Sequence, residues 1–532
     1  MKKITILASL FFVLAANAQN KRPDNWFNLD ATKDSVNGVS SERTYTELLK
    51  DKKSTTIIVG VLDSGVDYTH EDLKDIMWTN SKEIAGNGID DDKNGYIDDI
   101  HGWNFMGNKD GTNVAKDNLE LARVYKTLNA KYKDKTEKDF ADKADKKEFK
   151  YWQIVKADYD KEASQAEAQA NQYKFIKEAV SGVVEKVKKE KGIEKVTLDD
   201  LKAFDAKDQK DKQGKMIAVS QGAAGMNVYE LLEQLDEALK SMDGSQLDIK
   251  DDTRSIVGDN YSDMSEKYYG NGDCKGPGAF HGTHVAGIIA ASRKNGIGMD
   301  GVADNVRIMS VRCVPDGDER DKDIANAIRY AVDNGAVILN MSFGKKYSPN
   351  KKEVDDAVKY AESKGVLLIH AAGNASDDID EVIHYPCKKL QNGKTPSNFM
   401  DVGALSWKLE DEIAAPFSNY GKKTVDIFAP GVDINSTVPD LNKYKDASGT
   451  SMAAPVVAGV AAVLKSYFPE LTPKQIIKIL TKSSVKTYKD KKVIKPGTKD
   501  EMIEFNELSK TGGIVNLYEA VKMAQGMVKI KN

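Results

Sequence analysis

Continuous apolar runs alternate with amphipathic segments along the chain from residue 57 onward. Residues 57–62 form an apolar run that ends at Asp63, as expected for a central parallel strand that is covered on both faces. Similar runs follow at 306–314, 336–341 and 366–372. Two segments with helical periodicity lie between them and end at glycines, 323–334 before Gly335 and 352–364 before Gly365. The pattern predicts an α/β fold, a doubly wound and mostly parallel sheet with helices on both faces.

A change of composition interrupts this pattern at residues 112–250, which are rich in Lys, Asp, Glu, Ala and Gln. Apolar side chains recur there at a spacing of three to four residues: Phe149, Trp152, Val155 and Tyr159. The spacing predicts long amphipathic helices, and then shorter ones that begin near Thr197 and Asn227, in a hairpin or small bundle. Two interpretations stay open: a solvated helical decoration, or an arm for substrate gating, partner binding or autoinhibition.

The first residues have the pattern of a signal peptide. Met1-Lys2-Lys3 precedes an apolar run at 4–16, and Ala16-Asn17-Ala18 has the small-x-small form of a cleavage site. The run is shorter than the roughly 20 apolar residues that a membrane-spanning helix needs. We therefore expect residues 1–18 to be removed on export to the periplasm or the extracellular space. No other segment is predicted to span a membrane.

The predicted organisation has three further parts. Residues 19–56 form an N-terminal extension that is expected to pack on the main domain through Trp26, Phe27 and Leu48. This stretch is short for a unit that folds alone. Residues 57–111 and 251–532 form the α/β domain, and residues 112–250 form the helical insertion.

Charge and cysteine usage exclude some classes of function. The net charge is −4, and Lys and Arg are interleaved with Asp and Glu, a pattern that argues against a nucleic acid partner. The odd number of cysteines argues against a disulfide framework and leaves at least one thiol free or paired with another molecule: Cys274, Cys313 and Cys387. The sequence gives no prediction of oligomeric state.

Three short segments carry the groups that a serine hydrolase needs: Asp63-Ser64-Gly65, His281-Gly282-Thr283-His284-Val285-Ala286-Gly287 and Gly449-Thr450-Ser451-Met452-Ala453-Ala454-Pro455. They supply a carboxylate, an imidazole and a hydroxyl, in the chain order Asp, His, Ser. With this order and these motifs the chain resembles the subtilisin-like serine proteases, the subtilases. The resemblance implies a subtilisin-like fold and hydrolysis of polypeptides.

The resemblance also implies roles for individual residues. Ser451 corresponds to the nucleophile, His281 to the general base, Asp63 to the group that orients the base, and Asn374 to the donor that faces the oxyanion together with the Ser451 amide. Taken alone, Asp63 is also compatible with a turn cap, Ser451 with a helix N-cap and Asn374 with a left-handed turn.

Two other histidines are predicted to be structural. His284 lies one helical turn after the proposed base, and His370 lies within an apolar run. We expect both rings to be packed and hydrogen-bonded rather than reactive.

Candidate substrate-binding residues lie next to these motifs. Ser342-Phe343-Gly344 resembles the family's Ser-Leu-Gly stretch, which pairs with an extended peptide, and Ala372 and Gly373 precede Asn374. Phe343 stands where the family usually has Leu, so subsite preference is not carried over from the family.

An acidic segment after the first strand resembles part of a calcium loop. Oxygen-bearing residues recur at every second position, with Gly95 at the sixth position for a sharp turn: Asp90, Asp92, Asn94, Tyr96 and Asp98. The twelfth position is His101 rather than Glu, so a further ligand is required, and Asp99 is the candidate. We expect structural Ca²⁺ here, with an acidic turn as the alternative, and no cofactor in the chemistry.

The sequence therefore predicts an exported serine endopeptidase with a helical insertion. The alternatives are a non-catalytic binding protein on the same fold and an enzyme that its own insertion holds inactive.

Overall fold

The computed structural model describes residues 22, 25–223, 225–241, 245–250, 253–408, 410–440 and 443–529. The predicted signal peptide lies outside the described residues and stays a prediction. The chain divides into two compact units, one of residues 118–252 and one of residues 1–117 and 253–532.

The strands and helices of the described residues are as follows. The strands are β1 (Ile57–Asp63), β2 (Gly102–Asn104), β3 (Val306–Arg312), β4 (Ala336–Met341), β5 (Leu367–Ala371), β6 (Phe399–Leu405), β7 (Ile427–Pro430), β8 (Ile434–Val438), β9 (Lys443–Ala447), β10 (Lys492–Ile494) and β11 (Met502–Glu504). The α-helices are α1 (Ser41–Glu47), α2 (Glu120–Tyr132), α3 (Lys143–Lys191), α4 (Leu198–Ala203), α5 (Gln209–Ala223), α6 (Val228–Ser241), α7 (Phe280–Ala290), α8 (Asp321–Asp333), α9 (Lys351–Ser363), α10 (Thr450–Tyr467), α11 (Pro473–Lys482) and α12 (Leu517–Lys529). Short 3₁₀ turns are Trp26–Asn28, Lys74–Ile76, Glu137–Asp139, Ser245–Leu247, Thr253–Ile256, Glu410–Glu412 and Phe505–Glu507.

A seven-stranded sheet forms the centre of the larger unit, in the order β2-β3-β1-β4-β5-β6-β7. Each of its pairings is parallel. The strands predicted from apolar runs are confirmed, and β4 coincides with the predicted 336–341. The helices that follow are confirmed as well, since Gly335 at φ 88° and Gly365 at φ 73° adopt the left-handed conformation that ends a helix.

Alternate residues of each central strand enter two different hydrophobic cores, as the two-residue period of a strand requires. In β5, Leu367 and Ile369 enter the core that contains α7 and α10, whereas Leu368 enters the core that contains α8 and α9. Helices therefore cover both faces of the sheet, which confirms the predicted doubly wound architecture.

Helix α10, which contains Ser451 in its first turn, is mostly buried. Gly459 makes its close packing possible, because a β-carbon there would lie 2.6 Å from Cβ of Val302. By length and composition this helix could cross a bilayer, whereas no such segment was predicted from the sequence after the signal peptide. Since 83% of it is buried inside the protein, its apolar surface is already covered.

The N-terminal extension packs through the predicted residues. Trp26 and Phe27 are fully buried, and Leu48 packs partly buried against the same core. The Trp26 indole N–H is shared between the carbonyl oxygens of Val432 at 3.2 Å and Asp433 at 3.3 Å. The predicted packing of this extension is confirmed.

The smaller unit consists of α2 to α6. Its long helix α3 runs for 49 residues, begins at the N-cap Asp142 and ends at Gly192 with φ 65°. Phe149, Trp152 and Val155 are buried on it, as the spacing predicted. Thr197 and Asn227 accept hydrogen bonds from the first turns of α4 and α6, which confirms the two predicted helix starts.

The residues of the larger unit that flank residues 118–252 are joined to each other. The Thr253 hydroxyl donates to Asp117 at 2.6 Å, and Arg320 makes a bidentate ion pair with the same carboxylate at 2.6 and 2.9 Å. Arg254 pairs with Asp323 at the start of α8. The chain leaves the larger unit at Asp117 and re-enters it at Thr253. These contacts hold the two residues together and attach them to the start of α8.

Candidate active site

Three neighbouring strands of the sheet carry candidate residues at their carboxyl ends. Asp63 is the last residue of β1, Ser342 follows β4, and Asn374 comes shortly after β5. Because β1, β4 and β5 are adjacent and parallel, these residues lie along one edge of the sheet. Ligands and reactive groups of doubly wound sheets gather at this edge.

Asp63 and His281 form a hydrogen-bonded pair. Oδ1 of Asp63 lies 2.7 Å from Nδ1 of His281. Glycine at 282 allows this approach, since a β-carbon there would lie 2.2 Å from the carbonyl oxygen of Gly65. The Asp63 side chain is 2% exposed and that of His281 is 38% exposed, so the carboxylate is shielded while the ring keeps an open edge.

The carboxylate controls the protonation of the imidazole. Burial lowers the pKa of His281, but the charge and hydrogen bond of Asp63 outweigh it, so the pKa lies above its usual 6.5. An imidazole accepts a proton only when neutral. The capacity of His281 to act as a base is therefore present at high pH and lost as the pH falls through this raised value.

Ser451 lies in the first turn of α10 and is bonded to the segment that follows β4. Its hydroxyl donates to the carbonyl oxygen of Ser342 at 3.2 Å, and the Ser342 hydroxyl donates to the carbonyl oxygen of Ser451 at 2.9 Å. In a regular helix the Ser451 carbonyl would accept from the N–H of residue 455. Because Pro455 has no N–H, this carbonyl is left available for Ser342.

The Asn374 amide nitrogen and the Ser451 backbone nitrogen both lie near Gly449. The Asn374 side-chain oxygen accepts from the N–H and hydroxyl of Thr450 at 2.8 and 2.9 Å, which leaves the amide nitrogen on the other side. A β-carbon at Gly449 would lie 3.5 Å from Nδ2 of Asn374 and 3.5 Å from N of Ser451. The two nitrogens therefore lie at similar distances from the same side of residue 449.

The other candidate substrate-binding residues form the walls behind these groups. Ala372 N–H donates to the carbonyl oxygen of Val402, Gly373 N–H donates to the Thr450 hydroxyl, and Asn419 bonds to the carbonyl oxygens of Ala372 and Gly373. These main-chain groups are used inside the protein, so Ala372 and Gly373 hold the shape of the wall.

In the predicted segment 342–344, Phe343 packs against His370 and Gly344 lies close to Tyr385. Phe343 is buried, with its ring edge-on to His370 at 6.4 Å between centroids, and its carbonyl oxygen bonds to the His370 ring at 2.9 Å. A β-carbon at Gly344 would lie 3.3 Å from the carbonyl oxygen of Tyr385. The bulk of Phe343 is thus directed into the core rather than toward the edge that carries Ser451.

The remaining histidines and the cysteines have structural environments. His284 bonds through Nε2 to the carbonyl oxygen of Lys445 at 3.0 Å, and burial lowers its pKa to about 4. All three cysteines are free thiols, and burial raises the pKa of Cys274 to about 12, which keeps it un-ionised. His370 is hydrogen-bonded on both ring nitrogens.

The acidic segment brings together only part of the predicted calcium ligands. Carboxylate oxygens of Asp90, Asp92 and Glu83 lie within 4.8 Å of one another, and this hard oxygen donor set fits a calcium ion. Asp98 is turned away and accepts from the N–H groups of Gly86 and Gly88 at 2.8 and 2.9 Å. Sequence spacing missed Glu83, because it lies outside the loop template.

The side chains of the other candidates of this segment make hydrogen bonds within the protein. The Asn94 oxygen accepts from the N–H of Tyr96 at 2.8 Å, and its amide donates to Asp99 at 3.1 Å. Asp99 is buried and bonded to Tyr330, and burial raises its pKa to about 6. The Tyr96 hydroxyl donates to the carbonyl oxygen of Lys267 at 3.4 Å, and the His101 ring bonds to the carbonyl oxygen of Trp78. Of the described residues, Glu83 rather than Asp99 completes the carboxylate cluster.

Two curated proteins are each similar to more than a third of this chain. The chain is 44% identical over 188 residues to the Thermophilic serine proteinase of Bacillus sp. (strain AK1), covering 35% of this chain and 42% of that protein. It is 39% identical over 197 residues to Subtilisin BL of Lederbergia lenta, covering 37% of this chain and 66% of the relative. The chain thus spans between two fifths and two thirds of the length of these two curated relatives.

A solved structure described as proteases from Pseudoalteromonas arctica PAMC 21717 is 31% identical, with a TM-score of 0.37, over 46% of this chain and 70% of that one. The Peptidase_S8 family model, described as the Subtilase family, matches residues 54–506 and so includes Asp63, His281, Asn374 and Ser451. Since this match extends over most of the sequence and contains every strand of the central sheet, the chain belongs to the subtilase family.

Proposed function

We propose that the protein is a serine endopeptidase that hydrolyses extended polypeptides. One observation carries the proposal: the buried carboxylate of Asp63 lies 2.7 Å from Nδ1 of His281 at the edge of the sheet. Hydrogen bonds of Ser342 to Ser451, and of Thr450 to Asn374, attach the start of α10 to the same edge. Family membership and relatives named as proteinases support the same reaction.

In this mechanism Ser451 Oγ attacks the scissile carbonyl carbon while its proton passes to Nε2 of His281. Asp63 keeps the Nδ1 proton directed toward itself and stabilises the imidazolium. The tetrahedral oxyanion accepts from Nδ2 of Asn374 and N–H of Ser451. His281 then protonates the leaving amine as the C–N bond breaks. In deacylation His281 takes a proton from water, the water oxygen attacks the ester carbonyl carbon, and the bond to Ser451 Oγ breaks as His281 returns the proton to Oγ.

The function is tested with a serine-directed fluorophosphonate and an unfolded protein substrate. We expect the chain to be labelled and to cleave, and Ser451→Ala to abolish both, because the variant lacks the nucleophile. Mass spectrometry locates the label. Absence of labelling and cleavage in the folded, unaltered chain would overturn the proposal in favour of a non-catalytic or autoinhibited protein.

Gly449→Ala tests the space that the two donors share. The added methyl group lies 3.5 Å from each donor and meets no closer atom, so we expect normal folding but displacement of the oxyanion. kcat should fall by about 10²- to 10³-fold, the loss seen when one such donor is removed from a subtilisin. Steady-state kinetics with a chromogenic peptide measure it. Gly526→Ala, which adds a methyl group into open space on α12, is the control and should leave kcat unchanged.

Asp63→Asn tests the control of His281 by its partner. Loss of the negative charge lowers the pKa of His281, so the acidic limb of kcat/KM should move to lower pH. The plateau should fall by about 10⁴-fold, since the amide favours the wrong tautomer. pH–rate profiles on an ester substrate give both values, with the surface variant Asp356→Asn for comparison. An acidic limb that stays in place would mean that Asp63 does not set this pKa.

We also propose that Glu83, Asp90 and Asp92 hold a structural calcium ion. Carboxylate oxygens of the three residues lie within 4.8 Å of one another, and a cation among them would offset the negative charge that their backbone N–H donors leave. The ion would tether the segment that follows β1 and takes no part in the chemistry.

Thermal unfolding of the Ser451→Ala protein, with calcium and with a chelator, tests this cation site. Calcium at 100 times its Kd should stabilise the fold by about 2.7 kcal/mol, and Glu83→Gln should remove most of this gain. Asp98→Asn is the matched control, because Asp98 lies in the same segment but outside the three-carboxylate cluster; it should keep the calcium-dependent gain. An equal response of all three proteins to calcium would contradict the assignment.

A further inference from the structure

Residues 431–433, which connect β7 to β8, are bonded to the two residues that come just before α10. The Gly449 N–H donates to the carbonyl oxygen of Gly431 at 2.8 Å, and the Asp433 N–H donates to the Ser448 hydroxyl at 2.8 Å. A β-carbon at Gly431 would lie 2.9 Å from the Gly449 carbonyl oxygen, so the two segments are in close contact. The position of this connection therefore helps to fix where Gly449 lies.

The place of Gly449 matters for the candidate site. Its β-carbon position is 3.5 Å from Nδ2 of Asn374 and 3.5 Å from N of Ser451. A displacement of Gly449 would shift the start of α10, and with it the Ser451 hydroxyl and N–H, relative to Asn374. Since a misplacement of about 1 Å can cost about 10²-fold in rate, small shifts here affect the chemistry.

Asp433 has a backbone conformation that needs support. Its φ of 51° lies in the left-handed region, which is uncommon for a residue other than glycine. Such a conformation costs free energy and persists where the surrounding structure holds it. The Asp433 carboxylate accepts from the Trp407 indole N–H at 3.0 Å, which is one such contact.

Trp26 of the N-terminal extension supplies a second contact. Its indole N–H is shared between the carbonyl oxygens of Val432 and Asp433, at 3.2 and 3.3 Å. Because Trp26 is fully buried, water does not make good the loss of this donor. The Asn28 amide donates to the carbonyl oxygen of Asp300 at 2.8 Å, which anchors the extension two residues further on. The indole is therefore itself held in place.

We propose that Trp26 is a positioning residue whose indole N–H holds the β7–β8 connection and, through it, the start of α10. The N-terminal extension then contributes to the chemistry of Ser451 without touching the substrate. The inference rests on the proposed peptidase function for its kinetic consequence. The effect on the main chain does not depend on that function and is measured separately.

The first experiment measures amide hydrogen exchange of Ser451→Ala protein by mass spectrometry, with and without Trp26→Phe. Phenylalanine keeps an aromatic ring but has no N–H donor. We expect peptides that contain the Asp433 and Gly449 N–H groups to exchange about fivefold faster, the factor that corresponds to one hydrogen bond. Unchanged exchange of these peptides would overturn the proposal.

Trp103→Phe is the matched control. Trp103 is buried on the edge strand β2, and its indole N–H donates to the carbonyl oxygen of Tyr269 at 2.8 Å. Both variants lose an indole donor that is bonded to the main chain, but Trp103 is bonded to a different part of the larger unit. We expect Trp103→Phe to leave the exchange of residues 431–449 unchanged.

The second experiment compares a chromogenic peptide with a small fluorophosphonate. In Trp26→Phe, kcat for the peptide should fall about fivefold while KM stays within about twofold, because the start of α10 changes and the substrate-binding walls do not. Fluorophosphonate labelling should slow by about the same factor, since this reagent reacts with the same hydroxyl. Trp103→Phe should change neither rate. A fall confined to KM, or equal falls in both variants, would mean that Trp26 is only structural.

Benzothienylalanine at residue 26 serves where Trp26→Phe does not fold. Its ring has the shape of indole, with sulfur in place of the N–H, so the same changes in exchange and kcat are expected. If the unaltered chain is neither labelled nor able to cleave, the proposed function fails. The exchange experiment then still decides whether Trp26 holds the main chain at Gly449.

Discussion

The side-by-side parallel pairing of β1, β4 and β5 is the constraint on which the rest of the site depends. Leu62 pairs with Met341, and Met341 pairs with His370, so the ends of the three strands stay level. A shift of one residue in either pairing would turn the following side chains to the opposite face. The hydrophobic cores on both faces oppose such a shift, and they thereby fix where the polar residues beyond the strands are placed.

Much of the site was readable from sequence, because its groups lie within or beside short segments. The strand that ends at Asp63 was predicted from apolar patterning, and the three motifs named Asp63, His281 and Ser451. How closely these segments approach one another could not be predicted, because it depends on contacts between residues distant in sequence, such as Gly282 against the loop after β1. The role of Pro455 likewise becomes visible only with Ser342 beside it.

The acidic segment and His370 show where patterning is insufficient. Regular spacing favoured Asp98 as a ligand, but its carboxylate is turned to the N–H groups of Gly86 and Gly88 and lies outside the cluster of Glu83, Asp90 and Asp92. Spacing along the chain does not report which way a side chain turns. His370 was correctly expected to be packed and hydrogen-bonded, because it interrupts an apolar run. Its partner Asp401 lies on the next strand of the sheet, so this hydrogen bond follows from topology rather than from local sequence. The burial of most of α10 is a similar case.

The joint between Asp117 and Thr253 has a consequence for how this chain can diverge. The two residues hold each other at one point and are held by Arg320, so the larger unit closes its own chain path there. The free energy of closing a loop grows only slowly with loop length, by roughly 0.6 kcal/mol for each doubling. The segment between Asp117 and Thr253 can therefore lengthen, shorten or be exchanged in evolution at little cost in the folding free energy of the larger unit. This position in the fold thus tolerates insertions.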